Sequence, residues 1–142
     1  MTYPECFYRM NVYEDDWSIQ CIIEAFEETP TEFERFCGDL FKQMGYQVHV
    51  TSPTKDGGYD LLVWNDEMRS IVECKCYPLE TKVGRPQLQK LVGANATIHA
   101  DQIWCVTTSD YTSDAILYAK EVGIRLFNGS DLEHCIRSYF SC

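Results

Sequence analysis

Apolar residues recur at helical spacing through the first third of the chain and then switch to strand spacing. Ile19, Ile22, Ile23 and Phe26 share one side of a helical projection, which predicts a short amphipathic helix that Pro30 ends. Phe33, Phe36, Leu40, Phe41 and Met44 form a second stripe, opened by a Thr31-x-x-Glu34 capping box and closed by Gly45. Residues 46–51 alternate with β-branched positions and predict a strand, and residues 52–58 form a loop by composition. Residues 59–64 and 70–77 predict two further strands, joined by a short polar link into an antiparallel hairpin. A helix follows from Arg85 to about Ala100, with Leu88, Leu91, Val92 and Ala96 on one side. Then come a buried-type strand at 102–108, a helix at 112–122, a strand at 124–127 and a closing helix capped by Ser130. This order predicts an α/β fold, a mixed central β-sheet flanked by helices on both faces.

At 142 residues the chain fits one domain with a core that needs no covalent staples. No apolar run reaches the roughly 18 residues of a membrane span, and the N-terminus has neither the basic start nor the apolar stretch of a signal peptide. A cytoplasmic protein with no membrane partner is expected. The eight cysteines include no C-x-x-C pair, and only Cys74 and Cys76 are close in sequence, which argues against zinc. Reduced thiols are expected, with Cys37 and Cys105 acting as small buried hydrophobes.

The net charge of −10 is unevenly spread. Residues 1–29 hold one basic and seven acidic residues, and residues 30–142 hold eleven and fifteen. The chain is therefore divided into an acidic N-terminal extension, 1–29, and a domain, 30–142. Acidity weighs against phosphate ligands, although some of these acids would be neutralised by a divalent metal.

Three charged residues stand where core strands prefer apolar ones. Asp60 opens the second strand directly after Gly57-Gly58, and Glu73 and Lys75 interrupt the third. Alternation puts Glu73 and Lys75 on one face and Val72, Cys74 and Cys76 on the other, with Asp60 alongside on the hairpin partner. Glutamate alternating with lysine is most often a solvated face with a weak ion pair. The Gly-Gly bend and the apolar flanks 61–63 and 71–72 argue instead for a buried sheet with a free carboxylate. Two carboxylates and an ammonium on adjacent strands suit metal-assisted phosphodiester hydrolysis: Mg²⁺ takes one or two carboxylates and fills its remaining positions with water and phosphate.

Asp56-Gly-Gly-Tyr-Asp60 followed by Ile71-Val-Glu-Cys-Lys-Cys-Tyr77 resembles the Mrr-type restriction endonuclease catalytic domain, a branch of the PD-(D/E)xK nuclease superfamily. The likeness runs over about residues 31–136. It takes in Phe33-Glu34, residues 40–48, 83–94 and 104–109, Tyr111-Thr112 with Ala115 and Ala119, and 126–129 with Leu132. It implies a restriction-endonuclease-like fold and a DNA endonuclease acting in restriction of foreign DNA or in DNA processing. It also implies Mg²⁺, with Mn²⁺ as a substitute, held by Asp60, Glu73 and the backbone carbonyl of Cys74, and Lys75 as the catalytic lysine. Glu34 matches an acidic position that approaches the metal through water in this superfamily; the other reading is the capping partner of Thr31. Gln87 matches a glutamine beside the active site; the other reading is a polar residue in the first turn of a helix.

Two features depart from the family. Many members carry glutamine where Glu73 stands, and the residues ahead of the fold are too few and too acidic for a DNA-recognition domain. Double-stranded DNA is the expected substrate, and a homodimer or a recruiting protein partner is the expected assembly. The competing reading is an interaction module that keeps the fold without cutting.

Overall fold

Five strands form one mixed sheet in the order β1-β2-β3-β4-β5, where β1 is Gln47–Val50, β2 Leu61–Trp64, β3 Arg69–Lys75, β4 Gln102–Thr107 and β5 Ile124–Phe127. The computed structural model describes residues 18–51 and 58–140; the expected loop at 52–57, with Gly57, and the acidic residues before Ser18 lie outside them. β1-β2-β3 is an antiparallel meander, whereas β3-β4-β5 is parallel because helices α3 (Arg85–Ile98) and α4 (Ser113–Val122) supply the crossovers.

Helices α1 (Ile19–Phe26), α2 (Pro30–Gln43) and α5 (Gly129–Phe140) cover the other face. Alternation sorts each strand between two cores. Val72, Cys74, Trp104 and Val106 pack toward α2 and α5, while Ile71 and Cys105 pack with Leu88, Leu91, Ala115 and Ala119 of α3 and α4. The central strands are thus buried on both faces, which is why they read as near-continuous apolar runs. Helix α1 is part of the larger core: Ile22 and Phe26 are fully buried, and Phe26 lies 5.1 Å from Phe36, ring to ring.

Four local expectations are corrected. Pro30 does not merely end α1; it is the first residue of α2, where its fixed φ suits a helix start. Thr29 is then the N-cap and Thr31 lies inside the helix, so the Thr31–Glu34 capping box does not form. At α5 the cap is Asn128 rather than Ser130. Asn128 Oδ1 accepts from the Asp131 N–H and Asp131 Oδ2 accepts from the Asn128 N–H, both at 3.0 Å. Ala96 on α3 is exposed, leaving Leu88 and Leu91 as the buried stripe. The cysteines at 21, 37, 74, 76, 105 and 135 are free thiols, and among the described residues no helix is long and apolar enough to cross a membrane.

Candidate active site

The β2–β3 hairpin sets the geometry. Leu61 pairs with Val72, and the Asp60 N–H donates to the Val72 carbonyl at 2.9 Å, which brings Asp60 alongside Glu73. From the other side Thr51 grips the same residue, its N–H and its Oγ1 each donating to the Asp60 carbonyl at 3.0 Å. Gly58 has a φ of +79°, and a Cβ there would lie 3.0 Å from Ala94 Cβ on α3. Both backbone conformation and close helix approach therefore require glycine two residues before the acid.

Glu73 and Lys75 share the α3/α4 face, as alternation demands, and Lys75 Nζ lies 3.7 Å from Glu73 Oε1. Their side chains keep 15% and 30% exposure, so this pair is half-sheltered rather than a solvated surface bridge. Asp60 Oδ2 accepts a 2.7 Å hydrogen bond from the Cys74 N–H. The residue between Glu73 and Lys75 is thereby tied to the first carboxylate.

Glu34 joins this group from α2. Burial, hydrogen bonding with Asp60 and the Asp60 charge push its carboxyl up to about 8, with Lys75 opposing. Burial, a hydrogen bond with Asp60 and the Asp60 charge likewise push Glu73 up to about 9, with Lys75 opposing and Glu34 adding to the rise. Burial pulls the Lys75 ammonium down, but Glu73, Tyr77 and Asp60 outweigh it and the net shift is upward, so the lysine stays charged.

Gln87 stands in the first turn of α3, and its Oε1 accepts from the Gly84 N–H at 3.1 Å. That contact is with its own helix start, and it is Asp60, Glu73, Lys75 and Glu34 that the fold brings together. Reading the sequence for charge overlooked a set of hydroxyls. Thr107 Oγ1 donates to the Lys75 carbonyl at 2.9 Å, and Thr108 Oγ1 both accepts from the Tyr77 N–H at 2.8 Å and donates to the Tyr77 carbonyl at 2.7 Å. Thr107 and Thr108 are fully buried. Two hydroxyls closing an otherwise apolar strand were the available signal, since buried hydroxyls need partners.

The donor set suits one hard divalent cation. Asp60, Glu73 and the Cys74 carbonyl offer only oxygen, and the Glu73 and Glu34 carboxyls are crowded enough to retain protons. Among the described residues no three His, Cys, Asp or Glu side chains form a preformed cage.

The family model for the Mrr catalytic domain, described as a restriction endonuclease, matches residues 26–136. The type IV methyl-directed restriction enzyme EcoKMrr of Escherichia coli (strain K12) is 33% identical over 115 residues, an overlap of 75% of this chain and 37% of that enzyme. The DNA modification-dependent restriction endonuclease AspBHI shares the fold with a TM-score of 0.73 at 22% identity, over 97% of this chain and 38% of that one. The MspJI restriction endonuclease, solved with a 27-mer oligonucleotide, gives a TM-score of 0.65 at 17% identity, over 84% and 30%. All three are longer, and this chain spans little more than a third of each at most.

Proposed function

The chain belongs to the Mrr-type restriction endonuclease family, and from that premise we propose that it is a metal-dependent DNA endonuclease whose reaction centre is Asp60, Glu73 and Lys75. The observation that carries this reading is the convergence of two carboxyls and one ammonium at the end of a buried hairpin, with Asp60 bonded to the strand that bears the other two. Restriction of foreign DNA is the role that the family suggests.

Asp60, Glu73 and the Cys74 carbonyl would hold Mg²⁺, or Mn²⁺ in its place. The ion, when bound, acidifies water and offsets charge on the scissile phosphate. The remaining work falls to protein groups. Asp60 is held rigid from both neighbouring strands, so its carboxylate is preorganised rather than recruited. Lys75 presents a permanent positive charge where negative charge develops on the phosphoryl oxygens, and its ammonium can orient the attacking water. Glu34, raised to about 8 beside Asp60, would exchange a proton with water at the cluster.

Incubating the protein with plasmid DNA, with and without Mg²⁺, tests the reading when Asp60→Asn is run in parallel. Metal-dependent cleavage by the wild type and none by the variant is expected. DNA binding with no cleavage under any divalent metal would favour the interaction-module reading instead.

A further inference from the structure

Residues 81–100 hold Lys82, Arg85 and Lys90 and no Asp or Glu, whereas the other 122 residues hold nine basic against twenty-two acidic. Nearly all of the molecule repels phosphate, and this segment, α3 with its leading turn, does the reverse. Its three cations are not equivalent. Arg85 is engaged within the protein: its guanidinium lies 3.5 Å from Asp114 and 4.8 Å from the centre of the Tyr118 ring. Lys82 and Lys90 are exposed and lie in no ion pair among the described residues.

The fold sets both lysines on the α3/α4 side of the sheet, the side that Glu73 and Lys75 share. Gln87, Lys90 and Ala94 fall on one stripe of α3, and Ala94 is the residue that packs against Gly58, two positions before Asp60. Lys82 lies in the connection that leaves β3 after Lys75. Its neighbour Val83 is pinned there: the Val83 N–H donates to the Asp110 carbonyl at 2.9 Å, and the Val83 carbonyl accepts from the Thr112 N–H at 3.0 Å. Both sites sit on the sheet face that carries Asp60, Glu73 and Lys75, opposite the face covered by α2.

We infer that Lys82 and Lys90 form a two-point phosphate track along α3 that seats the DNA backbone across the carboxylate cluster. The inference rests on the nuclease reading and adds the surface by which an acidic domain holds a polyanion. Counterion release makes each such contact visible as salt dependence: losing one phosphate contact lowers the slope of log affinity against log salt by about one.

The test measures duplex-DNA binding across a series of KCl concentrations, and plasmid cleavage, for Lys82→Ala, Lys90→Ala, the double variant and Lys42→Ala. Lys42 is the control, an exposed lysine on α2 with the same charge on the opposite face. Each of the first two should weaken binding several-fold and lower the slope by about one, and the double variant by about two. KM for plasmid should rise while kcat at saturating DNA holds, and Lys42→Ala should change neither. Thermal melts establish that each variant is folded, with Lys→Gln replacing any alanine variant that is not. An unchanged slope in the double variant, or an equal loss from Lys42→Ala, overturns the track while leaving the nuclease reading intact. A wild type that neither binds nor cuts DNA overturns the nuclease reading, and the track with it.

Discussion

Asp60 Oδ2 and the backbone N–H of Cys74 are 2.7 Å apart, so the first carboxylate of the site is bonded to the very residue that separates Glu73 from Lys75. This bond fixes the geometry of the Asp60 carboxylate, which the Glu34 and Glu73 carboxyls also approach. Asn keeps the oxygen acceptor and loses the charge, whereas Ala loses both. Asp60→Asn should therefore retain near-wild-type thermal stability while metal binding by calorimetry and cleavage are both abolished. Asp60→Ala should lose metal and cleavage too, and in addition lower stability by about 1–3 kcal/mol, because the buried Cys74 N–H is left without an acceptor. Metal binding that survives Asp60→Asn would remove Asp60 from the site.

Lys75→Ala separates chemistry from binding. Its ammonium acts on charge that develops in the transition state, so the variant should lose about 10²–10³ in kcat with metal affinity and DNA affinity nearly intact. Unchanged cleavage in a folded Lys75→Ala protein would sink the proposed mechanism.

Thr107 positions Lys75 through the strand backbone, its Oγ1 bonded to the Lys75 carbonyl and within 3.2 Å of Ser109 Oγ. Thr107→Val keeps the shape and loses the hydroxyl. Folding should suffer by about 1–3 kcal/mol: the Thr108 N–H still satisfies the Lys75 carbonyl, but the buried Ser109 N–H loses its Thr107 acceptor. The expected signature is a fall in kcat with KM unchanged, restored by Thr107→Ser. A loss of stability with kcat untouched would make the residue structural only.

The acid cluster predicts a pH dependence with a definite sign. Glu73 and Glu34 are raised to about 9 and about 8 from an ordinary glutamate value, so the folded protein binds their protons more tightly than the unfolded chain. Without metal, stability contributed by these groups is greatest near pH 4–5 and declines as pH climbs toward 9. Metal competes with the same protons, so Mg²⁺ affinity should increase over that window and binding should release protons. Calorimetry in buffers of different ionisation enthalpy reads the proton count. Affinity independent of pH would exclude these two carboxyls from the site.

Helix α1 carries a stability prediction. Phe26 is fully buried against Phe33 and Phe36, so Phe26→Ala should cost about 3–5 kcal/mol in denaturant unfolding. Truncation after residue 29 removes the whole helix and should expose that aromatic cluster. A truncated protein with the full protein's unfolding midpoint would show α1 to be dispensable.

The sequence by itself determined the elements, their order and the pairing of Asp60 with the Glu73–Lys75 strand. These follow from periodicity: a two-residue repeat fixes which side chains share a face, and a short polar link fixes which strands are neighbours. It also marked Gly58, whose need for positive φ and for a close helix is visible only as an oddly placed glycine. It could not decide Glu34. Capping and site approach were equally consistent with the residue type, and the choice turned on Pro30 starting α2, which moves Thr31 inside the helix and turns Glu34 toward Asp60. Nor could it give the Thr107 and Thr108 hydroxyls their partners, because Lys75 and Tyr77 lie some thirty residues earlier and meet them only across a parallel ladder. Local pattern encodes what neighbours in the chain do to one another. Contacts made by packing separate elements depend on where each element is docked, and that is set by the two cores on either side of the sheet.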